Sequence, residues 1–350
     1  MSICRKDFGR LPDGRSADLF ELKNKNGMIV GITNIGAAIV SITVPDRGGS
    51  FADVVLGYDS AEKYLTKGAY HGVCVGRVAN RIEDARFELN GREYNLKPNY
   101  EGRHMLHGGE TGLDTRLFAA ALLNQNTLEL SCVLPDGEDG FPGEVALTVL
   151  YTLTDENALS LRFIATCDSD TVINLINHAY FNLNGHDSGS ITDHELMIFS
   201  DKYTPLNDAG MVYGEIRSVE PEMDFRNPKK IGRDIDSDFK QLKIAGGYDH
   251  NYMLDAAGGD LTHAAGVYEE VSGRAMDVYT NSPAILLYTG NHLDKHRVSG
   301  KGGVYYKSRG GFCLETNFPP NALKYKTLPQ PILRRGEVYD YTTLFKFGVK

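Results

Sequence analysis

The sequence predicts an all-β protein, a large antiparallel β-sandwich with very little helix. Three observations predict it. Short apolar or alternating runs of strand length recur along the chain. Turn-forming dipeptides punctuate them, and 38 glycines match a turn-dense architecture. Runs with helical periodicity are scarce, and many strands with few helices favour a sandwich or barrel.

Taken in order, the expected strands are Met28–Ile32, Ala38–Val44, Asp53–Leu56, Thr127–Leu134, Val145–Leu153, Ala158–Ala165, Glu195–Ser200, Tyr248–Leu254, Ala275–Thr280 and Ala284–Tyr288. Each is rich in β-branched or aromatic residues, whose shape suits a pleated surface. Asn26-Gly27, Asn90-Gly91, Pro135-Asp136-Gly137, Asp155-Glu156-Asn157 and Asn184-Gly185 supply the turns between such runs. Thr127–Leu134 and Val145–Leu153 read as a hairpin-like unit. The acidic segment between them lacks the EF-hand spacing and is expected to be a solvated loop. Two short helices are expected, Ser60–Leu65 with Ser60 as N-cap and Asp236–Ile244. With no repeat, low-complexity tract or linker, the 350 residues are expected to form one domain.

Charge and composition narrow the function. A formal net charge of −9 disfavours nucleic acid and anionic membranes, both of which need a basic face. The five cysteines contain no C-x-x-C pair, which argues against a zinc ribbon or a redox dithiol. Cys74, Cys132 and Cys313, set among apolar neighbours, are expected to be buried free thiols. The chain turns polar within seven residues of its start and has no apolar run of membrane-spanning length, so a cytoplasmic protein is expected.

Five segments place ionisable side chains beside apolar runs, where loops on a rigid scaffold often carry function. In Gly76-Arg77-Val78-Ala79-Asn80-Arg81-Ile82, the arginines and Asn80 either bind hydroxyls or a carboxylate, or pair structurally with Glu83 or Asp84. In His104-Met105-Leu106-His107-Gly108-Gly109 the glycines allow backbone to approach a ligand. The two histidines lack the H-E-x-x-H frame and a third ligand, so no zinc is expected. Asn174 to Leu183 interrupts a strand-like run with three asparagines and His178. That makes it either an exposed polar face or a site, because buried polar groups need partners. In Gly247-Tyr248-Asp249-His250-Asn251-Tyr252, alternation sends Asp249 and His250 to opposite faces. Finally, Glu315 follows the apolar Phe312-Cys313-Leu314; if half-buried, its pKa rises toward the range of a general base.

As an ordered set these segments resemble the aldose 1-epimerase (galactose mutarotase) family. The resemblance runs from Asp53-Val54-Val55-Leu56-Gly57-Tyr58 to Leu333-Arg334 and includes Tyr203-Thr204-Pro205, Gly214-Glu215-Ile216, Met223-Asp224-Phe225-Arg226 and Tyr288-Thr289-Gly290-Asn291. It implies a large antiparallel sandwich with an open concave face. It also implies an enzyme that exchanges the α and β anomers of a free aldose such as galactose or glucose without a cofactor. His178 stands at the family's acid position and Glu315 at its base position, with Asn80, Arg81, His107 and Asp249 at sugar-binding positions. The sequence departs from the usual pattern at His104, Ser282, Asn317, Asn321 and Arg335. Ser282, placed where some members carry a sugar-contacting Gln, bears on sugar preference. The competing expectations are a glycoside hydrolase using Asp249 and Glu315 and a sugar-binding module without catalysis. The expected partner is a monosaccharide, with the protein a monomer or homodimer.

Overall fold

In the computed structural model, which describes residues 1–66, 68–255 and 259–350, three antiparallel sheets hold most of the strands. The first orders Ser2–Arg10, Ser16–Lys23, Ile29–Thr33, Ile39–Pro45 and Phe51–Asp53 as a meander. The second has nine strands. Its order is Ala119–Leu122, Thr127–Leu134, Val145–Leu153, Ala158–Cys167, Tyr339–Val349, Arg274–Thr280, Thr262–Tyr268, Glu195–Ile198 and Lys229–Lys230. The third orders Arg217–Ser218, Lys202–Thr204, Asp249–Met253, Ala284–Tyr288 and Cys313–Asn317.

One buried cluster draws on all three sheets. It includes Phe20, Leu22 and Val30 from the first, Val149, Leu161, Val278 and Phe345 from the second, and Tyr252, Ile285, Leu287 and Leu314 from the third. Strand alternation makes this possible, since every second side chain faces the same way. Val145–Leu153 shows it plainly: Val145, Leu147, Val149, Tyr151 and Leu153 are buried, and the residues between them are not.

Most expected strands form within a residue or two of their predicted bounds, and Thr127–Leu134, Val145–Leu153 and Ala284–Tyr288 match them. The helices differ. Ala61–Tyr64 begins after an extended Ser60, whose side chain makes no capping bond. The second helix is Lys240–Ala245, later than expected, because Ser237 and Asp234 close a turn and the Ser237 hydroxyl accepts from the Phe239 N–H. Gly246 then ends it in the left-handed conformation that glycine adopts at no steric cost. The acidic loop after Leu134 faces solvent at Pro135, Asp136 and Gly137, as expected, and its carboxylates also make bonds of their own. Asp136 accepts from the Gly143 N–H, Asp139 from Thr111, and Glu138 holds Arg116 through both oxygens at 2.6 Å. Its carboxylates brace the loop.

Candidate active site

The third sheet builds the floor of a pocket of about 510 Å³. Its register aligns Asp249 with Tyr288 and Cys313, and Asn251 with Leu286 and Glu315. The alternate residues Leu287, Ile285 and Leu314 point into the core. Asp249, Leu286, Tyr288 and Glu315 line the pocket, while His250 turns away and is fully buried. The opposite orientations expected for Asp249 and His250 are therefore found.

The walls come from the other sequence segments. His178, Tyr180, Asn80, Arg81, His107 and Tyr70 all face the same space. Every one of the six residues singled out in the sequence, His178, Glu315, Asn80, Arg81, His107 and Asp249, lines it.

His178 and Glu315 are neighbours. The His178 Nε2 lies 3.4 Å from the Glu315 Oε1, and both side chains are almost fully buried. Burial disfavours charge on either. It lowers the His178 pKa to about 4. Burial and the nearby Asp249 carboxylate raise that of Glu315 well above the usual range, against the pull of Arg81. His178 is fixed through its backbone, donating to the Val73 carbonyl at 2.9 Å and accepting from the Gly72 N–H at 3.0 Å. Its ring packs on Tyr180 and Tyr70, with centroids 4.9 and 5.9 Å away.

Asn80 and His107 lock each other. The Asn80 N–H donates to His107 Nδ1 at 3.2 Å, and the His107 N–H to the Asn80 carbonyl at 3.1 Å. A ring nitrogen that accepts carries no hydrogen, so neutral His107 keeps its proton on Nε2 as a donor. Asn80, His107 and Tyr70 all have left-handed backbones, with φ of 62°, 54° and 57°. Such strained residues concentrate at functional sites. Gly108, at φ 83°, could not be any other residue, because a Cβ there would meet the Gly76 carbonyl oxygen at 1.9 Å. The Arg81 guanidinium sits 3.8 Å from the Asp249 carboxylate and over the Tyr100 ring. Burial raises the Asp249 pKa, opposed by Arg81.

Several other expectations change. Arg77 pairs with neither Glu83, which holds Lys324, nor Asp84, which holds Arg103. Its guanidinium is buried and donates to the carbonyls of Pro142 and Gly143 at 2.7 Å and of Leu134 and Pro135 at 3.1 Å. Arg77→Met should therefore destabilise the fold by on the order of 3 kcal/mol or more, because it strands several buried acceptors at about 1–3 kcal/mol each. A fall in the urea midpoint, with KM for sugar nearly unchanged in the folded fraction, is the expected result.

The asparagines from Asn174 to Asn182 form no exposed face. Asn174 exchanges two bonds with the Phe318 backbone, and Asn182 donates to the carbonyls of Gly189 and Gly310. Cys132 is only half-buried, unlike Cys74 and Cys313. His104 lies outside the pocket lining, its Nδ1 accepting from the Asp84 N–H. Ser282 is buried outside the lining as well, its N–H bonded to Thr280. From the strand that follows, Leu286 and Tyr288 reach the pocket, and the sequence did not mark Leu286. An aliphatic residue in an aliphatic strand gives no local signal; only its register beside Glu315 does.

Among the described residues, His178, Cys313 and Glu315 form the group whose nitrogen, sulfur and oxygen donors lie within 4.8 Å of one another. The His178 ring meets both, with Nδ1 toward Cys313 and Nε2 toward Glu315.

Fold and pocket define a β-sandwich with a buried histidine–carboxylate pair in a polar pocket. Comparisons with known proteins agree. The family model described as Aldose 1-epimerase matches residues 18–346. Galactose mutarotase from Bos taurus is 41% identical over 351 residues, covering 100% of this chain and 99% of that protein. Aldose 1-epimerase from Escherichia coli is 36% identical over 341 residues, covering 96% of each. Among solved structures, an aldose epimerase homologue from C. elegans superposes with a TM-score of 0.87 at 30% identity, covering 95% of this chain and 99% of that one. Galactose 1-epimerase from Lactobacillus acidophilus gives 0.85 at 28%, covering 99% of each. The chain belongs to the aldose 1-epimerase family and interconverts the anomers of a free aldose.

Proposed function

We propose that Glu315 and His178 are the base and acid of this reaction, and that Asn80, Arg81, His107 and Asp249 hold the hydroxyls of a hexose, galactose or glucose first. The observation that carries the reading is the 3.4 Å approach of His178 Nε2 to Glu315 Oε1 on the floor of a polar pocket. An aldopyranose changes anomer by opening its ring: the C1 hydroxyl loses a proton and the ring oxygen gains one. Those two oxygens share a carbon, so the groups that serve them must stand close together. They stand as neighbours rather than on opposite sides of the ring bond.

Ring opening starts with Glu315 ionised and His178 protonated. Glu315 takes the C1 hydroxyl proton as His178 gives one to the ring oxygen, the C1–O5 bond breaks, and the aldehyde forms. Both groups are then neutral, the state that burial favours. Rotation about C1–C2 presents the other carbonyl face, and the same transfers in reverse close the ring. Each positioned group contributes on the order of 10²–10⁴ in rate. The polar rim supplies selectivity, since a pocket built to bond a hydroxyl rejects a sugar lacking it.

The whole chain acts as one catalytic domain in this reading, and the cell interior is its proposed location. No described helix is long and apolar enough to cross a membrane. Polarimetry of freshly dissolved α-D-galactose and α-D-glucose tests the assignment of substrate. Faster decay to the unchanged final rotation is expected with both, and galactose accelerated no more than an unrelated aldose would reject the hexose preference.

A further inference from the structure

We propose that Cys313 is a positioning residue for His178: its thiol holds the imidazole so that Nε2, carrying the transferable proton, faces Glu315 and the sugar. This rests on the reading of His178 as the acid.

The geometry comes from one strand. Cys313 and Glu315 are two residues apart in Cys313–Asn317, so their side chains emerge on the same face. The ring of His178 packs against both: Cys313 Sγ is 3.5 Å from Nδ1, and Glu315 Oε1 is 3.4 Å from Nε2. Tyr180 and Tyr70 fix the plane of the ring by packing on it. Packing alone does not distinguish the two edges of the ring. A half-turn about the Cβ–Cγ bond exchanges Nδ1 with Cδ2 and Nε2 with Cε1, which would leave a C–H facing the carboxylate. The sulfur contact selects the edge.

The chemistry of a thiol suits this task. Cys313 is fully buried beside two carboxyl groups, which keeps it as S–H. Sγ accepts from Nδ1–H, so Nδ1 stays protonated and Nε2 is the nitrogen whose proton moves: the imidazolium gives it to the ring oxygen, and the neutral ring left behind keeps its hydrogen on Nδ1. The same contact therefore serves both protonation states of the catalytic cycle. A carboxylate in its place would stabilise the imidazolium and make His178 a weaker acid.

Two readouts test this in the full-length protein. In ¹⁵N-labelled wild type near neutral pH, the imidazole nitrogen shifts of His178, assigned by their loss in His178→Asn, should report the Nδ1–H tautomer, which leaves Nε2 bare to receive the proton it will give; an Nε2–H tautomer overturns the proposal. Steady-state polarimetry with galactose should show kcat falling on the order of tenfold or more in Cys313→Ala, part of the 10²–10⁴ that a positioned acid supplies. KM should stay within about twofold, since no sugar contact is removed. Cys313→Ser, which keeps a donor and acceptor at this point, should recover most of the loss. Wild-type kcat in Cys313→Ala, or equal impairment in both variants, overturns it. His178→Asn separates this inference from the reading beneath it. If that variant keeps near-normal kcat, His178 is not the acid and both fall. If it is inactive while Cys313→Ala is unaffected, only the inference about Cys313 falls.

Discussion

Replacing Glu315 with glutamine should slow anomer exchange by about 10²–10⁴, the range a positioned general base contributes, while leaving the protein folded. The substitution keeps the size of the side chain and a hydrogen-bonding group near His178 Nε2, 3.4 Å from the carboxylate oxygen in the native protein. It removes the one capacity the reaction needs, acceptance of the C1 hydroxyl proton. It also removes a buried carboxyl from beside Asp249, whose charge helps raise the Glu315 pKa. Stability should therefore hold or rise slightly, since an isolated buried ionisable group costs free energy. Polarimetry reads the rate, and a urea titration reads the fold. Near-normal mutarotation in this variant would mean that another group takes the proton, and the pairing with His178 would lose its chemical meaning.

The second large effect is acid lability. Among the six buried histidines are His71, His107, His178, His194 and His250. Burial lowers His178 and His194 to about 4 and His71 and His250 to about 3, and holds His107 well below its usual value. The hydrogen bonds give the reason for three of them. His107 Nδ1 accepts from the Asn80 N–H, His194 Nε2 from Leu183 and His250 Nδ1 from Asp249, and a protonated ring can accept none of these.

The sign follows from linkage. The unfolded chain takes up a proton at each of these histidines near pH 6.5, and the folded chain resists until about 3–4. Their stabilising contribution is complete above pH 6.5 and is lost as pH falls through the folded values. Each costs about 1.4 kcal/mol per pH unit in that window. Glu315 and Asp249, both raised by burial, act in the opposite sense, because the folded state binds their protons first. The histidines outnumber these two carboxyls, so the net effect is a loss of stability as pH falls below 6. Urea midpoints should hold steady from pH 8 to 7 and drop steeply from 6 to 4.5. A flat profile down to pH 5 would mean that these rings are charged or exposed in the folded protein.

Much of this was legible in the sequence, for identifiable reasons. Strands such as Val145–Leu153 declare themselves because alternation is written directly into residue order. Tyr339–Val349, the longest strand, joins the two halves of the nine-stranded sheet by pairing with Ala158–Cys167 and Arg274–Thr280. Nothing local distinguishes such a central strand from an edge. The segments that carry the six site residues stood out because polar side chains interrupt apolar runs there, and burying such groups is costly enough to need a cause; the family resemblance then singled out the six. Polar interruptions alone misled at Arg77, Asn174 and Asn182. Polar groups that brace backbone carbonyls interrupt apolar runs in the same way as those that meet a sugar.

Chain order alone thus determined the sheet-forming segments, the turns between them, the acidic surface and the set of chemical groups available to the site. Tertiary structure decided which of those groups meet. It turned Asp249 into the pocket and His250 away from it, put Leu286 beside Glu315, and brought the His178 ring against Cys313 and Glu315. Those outcomes depend on strand register and on contacts between residues as much as 137 positions apart, from His178 to Glu315. Burial, which sets the proton affinities of that pair, is a property of the assembled sheets and of no segment by itself.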